Sequence, residues 1–390
     1  MDLDFWWLLV IPLIFGLGWM AARFDLKHLL AEGTNLPRSY FRGLNFLLSE
    51  QHDKAIDAFI EVAKLDPETT ELHFALGNLF RRRGETERAI RVHQNLLNRT
   101  DLPVVERDHA LYELGQDFLK AGLFDRAETA FEQLAAGIYA SEAQRSLLTI
   151  YSIQKDWQRA IAIAERLEVL GVQSCRQQIA QFYCELAEEA LQRKQLEQAR
   201  SELERSLVAH PTNARAMILQ GQVELALGNL TAAIDAWMQI EKENATYLPL
   251  VAEKLMSAHE KLGLAEQGSR LLIDYLERHA SHDLLDIAYP YIAAHQGVEA
   301  AHALARAQMQ KAPNLTGMLR LLEAQLASAE TERRSELELM RRLLIQRTKN
   351  LPRYICRDCG FRARFFYWQC PGCRGWETYA SCRTEPMAHS

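Results

Sequence analysis

The sequence predicts a mainly α-helical protein: an α-solenoid of repeated helix pairs, preceded by a transmembrane helix and followed by a small metal-binding ribbon. Three observations carry this. Residues 5–22 hold no charged side chain, a degenerate motif recurs through residues 37–350, and four of seven cysteines form two Cys-x-x-Cys pairs between 356 and 373. The composition agrees. It is 48% hydrophobic and 25% charged, which is that of a folded chain, and the middle is rich in helix formers. A net charge of −6 argues against a general nucleic-acid binder.

The first element is the apolar run from Phe5 to Ala22. At about 1.5 Å per residue it reaches roughly 27 Å, near the short end of a bilayer span. Pro12, Gly16 and Gly18 are tolerated in such a helix, and Trp6, Trp7 and Trp19 suit the interfaces. A cleaved signal peptide would need a basic start, yet only Asp2 and Asp4 precede the run. Arg23, Lys27, Arg38 and Arg42 all follow it, so the positive-inside rule places the N-terminus outside. The predicted order is an outward-facing N-terminus (1–4), a single transmembrane helix (5–22), a linker (23–36) and a cytoplasmic body.

The repeat comes next. "ELHFALGNLFRRRGETERAIRVHQNLL" and "HALYELGQDFLKAGLFDRAETAFEQL" share Leu-Gly, Phe, Gly and Ala at matching offsets. The small residue of each second helix gives a marker series: Ala55, Ala89, Ala127, Ala160, Ala199, Ala233, Gly268 and Ala301, spaced 34, 38, 33, 39, 34, 35 and 33. Gly84, Gly122, Gly228 and Gly263 stand five residues before their markers, where a turn needs freedom in φ. Gly43, Gly77, Gly115 and Gly221 stand twelve before, where two helices must approach closely. Pro67, Pro211 and Pro313 stand twelve after and end the second helix. The pattern resembles the tetratricopeptide repeat, with about nine repeats over 37–350. The two longest spacings predict longer loops near "NRTDLPVVER" and "GVQSCR". By that resemblance, stacked pairs form a curved solenoid whose first helices line a groove for a partner polypeptide.

Asn78, Arg81 and Arg82 follow i, i+3, i+4 spacing on one first helix and form a candidate partner-binding surface for acidic groups. The competing reading is a solvated face with Arg81–Glu85 and Arg83–Glu87 as ordinary helical pairs.

Cys356-x-x-Cys359 and Cys370-x-x-Cys373 can each turn two thiolates toward one point, giving a tetrahedral four-sulfur site for one iron or zinc ion. A reducing compartment disfavours disulfides, and a thioredoxin-like site would want a single pair in a βαβ setting. The knuckles Cys356-Arg-Asp-Cys359-Gly360 and Cys370-Pro371-Gly-Cys373 resemble the rubredoxin-type ribbon. "FRARFFYWQ" between them suits a short hairpin, with Phe361, Phe366, Trp368 and Trp376 as a miniature core. Only Leu351-Pro352 separates the last helix from the cluster, so the ribbon (351–382, then a tail 383–390) is expected to pack on the array as a metal-stapled cap. Cys175 and Cys184 fall in predicted helices and read as core. Cys382 lies outside the knuckles. Residues 341–364 hold eight Lys/Arg against one acid, which suits anionic headgroups or the polar face of the last helix. The sequence has no phosphate loop, serine elbow or dinucleotide fingerprint, and it does not read as an enzyme.

Anchor, repeats and ribbon together resemble the lipopolysaccharide assembly protein B family. "GLNFLLSEQHDKAIDAF", "LGNLFRRRGETERAIRVHQ", "IAQFYCELA" and "RYICRDCGFRARFFYWQCPGC" are the most telling stretches, and all four ligand cysteines are present. The resemblance implies an inner-membrane adaptor that regulates lipopolysaccharide biosynthesis. Such an adaptor promotes degradation of the committing lipid A deacetylase by a membrane-anchored AAA+ zinc protease, opposed by an inner-membrane lipopolysaccharide sensor. Nucleic acid is not an expected partner, and a homodimer stays open. Two other readings stay open as well: a membrane-bound, rubredoxin-like electron carrier, and a scaffold for lipopolysaccharide enzymes with no proteolytic role.

Overall fold

The computed structural model describes Phe15 and residues 38–381, apart from 50, 66–68, 172–173, 280, 312, 314 and 350–351. The predicted span 5–22 lies outside the described residues but for Phe15, which is helical and exposed. Residues 1–4, the linker 23–36, Pro67, Cys382 and the tail 383–390 lie outside them too. Among the described residues no helix is long and apolar enough to cross a membrane.

Eighteen α-helices follow one another as nine pairs among the described residues. They are α1 (Arg38–Leu48) and α2 (His52–Leu65), α3 (Thr70–Arg83) and α4 (Thr86–Leu97), α5 (Val104–Lys120) and α6 (Phe124–Glu132). Next come α7 (Ala140–Gln154) and α8 (Trp157–Val169), α9 (Arg176–Gln192) and α10 (Leu196–Ala209), α11 (Ala214–Leu227) and α12 (Leu230–Asn244). A 3-10 turn (Ala245–Tyr247) leads to α13 (Leu248–Lys261) and α14 (Ala265–Arg278), then α15 (His282–His295) and α16 (Val298–Lys311), and α17 (Leu315–Ser328) and α18 (Thr331–Thr348). The chain divides into two compact units, Met1–Ile150 and Tyr151–Ser390.

The repeat markers explain the packing. Ala55, Ala89, Ala127, Ala160, Ala199, Ala233 and Ala301 are all 0% exposed, and Gly268 is buried with them. Four residues beyond a marker, a ring fills the space left by the glycine of the first helix. A Cβ on Gly43 would meet the Phe59 ring at 2.7 Å, and one on Gly115 would meet Phe131 at 2.6 Å. Gly77 stands in the same way against His93, and Gly221 against Trp237. The missing side chain is what lets the two helices of a pair close on a large ring. The turn positions behave as the spacing predicts, with φ of 85, 76, 86 and 73° at Gly84, Gly122, Gly228 and Gly263. Lys155 and Lys194 hold the equivalent place in their own repeats and take φ of 58 and 60°. There the turn imposes a conformation disfavoured for a side chain.

The two long spacings are only partly loop. Residues 98–103 do form a longer connection, and α8 ends at Val169 with α9 starting at Arg176, but α5 and α9 also run to 17 residues each, against 14 in α3 and α11. The extra length is spent on additional helical turn as well as on loop. Caps are local: Asp156, Asn213 and Ser281 accept backbone N–H groups at the starts of α8, α11 and α15. Cys175 and Cys184 are buried, as expected of core residues, and burial pushes the Cys184 thiol up to about 11.

Candidate metal centre and its seat on the helical array

After α18 the chain forms a three-stranded antiparallel sheet of β1 (Tyr354–Cys356), β2 (Arg362–Ala363) and β3 (Tyr379–Ser381), in the order β2-β1-β3. Tyr354 pairs with Ala363 on one side and with Ser381 on the other. The expected hairpin within "FRARFFYWQ" is therefore not made. That stretch gives β2 and then runs irregularly to a single bridge between Gln369 and Trp376.

The two Cys-x-x-Cys turns are built alike. Cys356 N–H donates to the carbonyl of Phe361 and Gly360 N–H to Cys356; Cys370 N–H donates to Gly375 and Arg374 N–H to Cys370. The fifth position of each turn is left-handed, with φ 72° at Gly360 and 61° at Arg374. This repeated geometry brings the four Sγ atoms within 4.8 Å of one another. Cys356 and Cys373 Sγ are 3.7 Å apart, as are Cys359 and Cys370. Sulfurs at such distances are not disulfides, whose bond is about 2.05 Å. A tetrahedral ion with metal–sulfur bonds of about 2.3 Å sets its sulfurs roughly 3.8 Å apart, so the four residues fit one ion. Cys356 and Cys370 are buried while Cys359 and Cys373 are exposed. Burial opposes charge on Cys370, but the Tyr379 hydroxyl and the Cys373 and Gly372 amides outweigh it and hold the thiol down at about 6.

The ribbon core differs from the expected one. Tyr354, Cys356, Ala363, Cys370 and Tyr379 are its buried residues, with Phe366 packed against them. Phe361 is exposed, and the two tryptophans turn to the helices instead. Trp376 meets Trp157 and Phe182 edge-on at 6.4 and 6.2 Å. Trp368 and Phe366 pack on Tyr247 at 5.3 and 6.0 Å. Glu377 accepts hydrogen bonds from the side-chain amides of Gln181 at 2.6 Å and Gln177 at 3.0 Å. Arg353 pairs with Asp283 at 3.1 Å. Arg215, only 3% exposed, lies 5.8 Å from both tryptophan rings and pairs with Glu185 and Glu188 at 2.8 and 2.6 Å.

Gln181, Arg215 and Asp283 each stand eighteen residues before a marker (199 − 181, 233 − 215 and 301 − 283), so they occupy one register of the first helices α9, α11 and α15. The ribbon thus lies along that face instead of closing the end of the array. Sequence reasoning missed this seat because its partners are up to 200 residues apart in the chain.

The candidate surface on α3 also has local partners. Arg81 spends its guanidinium within the array: Nη1 donates to Asp117 Oδ1 at 2.8 Å, and Nη2 to Glu113 Oε2 at 2.6 Å and Asn78 Oδ1 at 2.5 Å. Asp117, fully buried, also takes His93 Nδ1 at 2.5 Å. The helical pair with Glu85 gives way to carboxylates one repeat further on. Glu85 serves Arg83 and Arg88 instead, while Arg82 is exposed.

Family models for the tetratricopeptide repeat match residues 72–103, 112–171 and 184–249, and one for the rubredoxin metal binding domain matches 354–379. Lipopolysaccharide assembly protein B of Escherichia coli K12 is 36% identical over 378 residues, covering 96% of this chain and 97% of that protein. The Haemophilus influenzae protein of the same name is 31% identical over 382 residues, covering 95% and 96%. The chain belongs to the lipopolysaccharide assembly protein B family. Solved structures are more distant: the Naa15/Naa10 complex bound to HypK aligns at a TM-score of 0.39 and 14% identity, covering 78% of this chain and 53% of that one. The matched ribbon spans all four cysteines of the candidate centre.

Proposed function

We propose that this member of the family is a non-catalytic adaptor in lipopolysaccharide assembly, held at the inner membrane by residues 5–22 with its body in the cytoplasm. It presents the committing lipid A deacetylase to a membrane-anchored AAA+ zinc protease, and an inner-membrane lipopolysaccharide sensor opposes it. The observation that supports this reading is the seat of the ribbon on the first-helix face of a repeat array, and on this reading the cysteine centre shapes the surface that holds the client. Sharing one bilayer with the protease would raise the effective concentration of the pair. Asn78 and Arg82 remain the candidate contacts on α3, with Arg81 holding the surface in shape.

One tetrahedral ion, iron or zinc, would be held by Cys356, Cys359, Cys370 and Cys373, and it would fix the ribbon fold. The test is a Cys356→Ser chain in cells. The expected result is a deacetylase half-life lengthened severalfold with the adaptor still present, and an unchanged half-life in a metal-free variant would refute the role of the ribbon. The electron-carrier reading draws on the exposed Cys359 and Cys373. It requires iron and a reversible redox titration of the purified chain.

A further inference from the structure

One buried group beside the cysteines lies outside both knuckles. Tyr379, in β3, is 0% exposed and pairs directly with Cys356 of β1. Residues opposed in an antiparallel pair share a face of the sheet, so the ring is carried to the side where the sulfurs converge. Its hydroxyl lies 3.5 Å from Cys370 Sγ, its one hydrogen-bond partner among the described residues. A single strand residue thus opposes a cysteine of the first knuckle and reaches the sulfur of the second. Cys370 needs such a donor. It is 0% exposed, whereas Cys359 and Cys373 are exposed. A ligand cysteine is a thiolate, and a buried charge is costly unless hydrogen bonds replace its water. The Gly372 amide donates to this sulfur at 3.4 Å, and the Tyr379 hydroxyl is a second donor. A thiolate carries no proton, so the O–H donates and the sulfur accepts. Phenylalanine would fill the same space in the ribbon core, so the O–H is what distinguishes the two.

We propose that Tyr379 is a positioning residue of the metal centre: its hydroxyl donates to Cys370 Sγ, orients that sulfur and sets how tightly the four cysteines hold an ion. Partners that touch a ligand and not the ion are worth about 10–100-fold in metal affinity. Hydrogen bonds to ligand sulfurs also tune the electronic character of such a centre. The inference rests on the four-cysteine reading of the ribbon and is independent of the adaptor's partners.

The test loads the purified full-length chain with cobalt(II), whose sulfur-to-metal charge-transfer absorption reports on the thiolates directly. The parent is compared with Tyr379→Phe and Tyr367→Phe. Tyr367 is the control: it is 40% exposed, and its ring centre lies 6.2 Å from that of Tyr379. In Tyr379→Phe, cobalt affinity measured against a competing chelator should fall by about 10–100-fold. The charge-transfer band of the saturated variant should also move to longer wavelength, because a thiolate without its donor gives up charge more readily. Tyr367→Phe should match the parent in both. Unchanged affinity in Tyr379→Phe would overturn the proposal, as would an equal change in Tyr367→Phe. So would weaker affinity with the band unmoved, or no uptake at saturation, either of which assigns Tyr379 to packing alone. A parent chain that takes up no cobalt would overturn the four-cysteine reading, and this proposal with it, so the two failures are told apart.

Discussion

The repeat register eighteen residues before each marker meets two fates. Around α9, α11 and α15 it carries Gln181, Arg215 and Asp283, which the ribbon covers or binds. Around α3 and α5 it carries Glu71, exposed, and His109, whose side chain is 33% exposed. There the neighbouring positions are tied internally, through Arg81 to Glu113 and Asp117 and through His93 to Asp117. One repeat design therefore stabilises its first-helix face in two ways. The first is a folded domain with a metal site, and the second is a network of partly buried charges. The difference teaches that repeat position alone does not decide whether a groove residue is available to a partner.

The largest expected effect falls on the ribbon side. Binding a structural metal is worth about 10–16 kcal/mol to a small domain of this kind. Cys370→Ser should therefore unfold the ribbon and raise amide exchange in α9, α11 and α15. Measured by hydrogen exchange, unchanged protection there would show that the seat is not held by the metal site. On the other side, Arg81→Met leaves the buried Asp117 without its guanidinium. Breaking such a pair costs about 3–5 kcal/mol, to be read as a lower denaturation midpoint of α3–α5.

Acid probes the same network. Burial would raise the Glu113 carboxyl, but the His109 hydrogen bond and the Arg81 charge prevail and hold it at about 2. Its ionised form therefore stabilises the fold fully above its ordinary value of 4.5, and that contribution is lost as pH falls through about 2. A pH–stability curve for Glu113→Gln should be flatter than the parent's across this window, and parallel curves would break the account. The smallest effect tests the turns. Lys155→Gly and Lys194→Gly each remove a left-handed side chain worth about 1–2 kcal/mol, offset in part by the added freedom of glycine in the unfolded chain. A net gain of roughly 0.5–1 kcal/mol should appear in denaturant melts.

Much of this was legible because its causes are local. A glycine opposite a ring, a small residue at a helix crossing and a left-handed turn each constrain one position, so Gly115, Ala127 and Gly122 announce a helix pair by themselves. The cysteine pairs are equally local, and their four sulfurs converge as the spacing predicts. What escaped was long-range. Arg81 has an acid four residues on, yet it reaches Glu113 and Asp117, 32 and 36 residues away. Acids at nearly one repeat period were the signal that could have found them. A small domain needs a core, which makes the ribbon's own aromatic residues the expected one. Tyr354 and Tyr379 fill that place, leaving Trp368 and Trp376 to the helices.

The bond from Gln181 to Glu377 spans 196 residues, and it has a consequence for synthesis. Repeat arrays can fold pair by pair as they emerge, since each pair contacts only its neighbours. Here α9 and α11 leave the ribosome long before the ribbon that covers Arg215. At about 5–20 residues per second the interval is roughly 10–40 s. For that time the seat is open on every nascent chain. It closes only when the last knuckle has been translated.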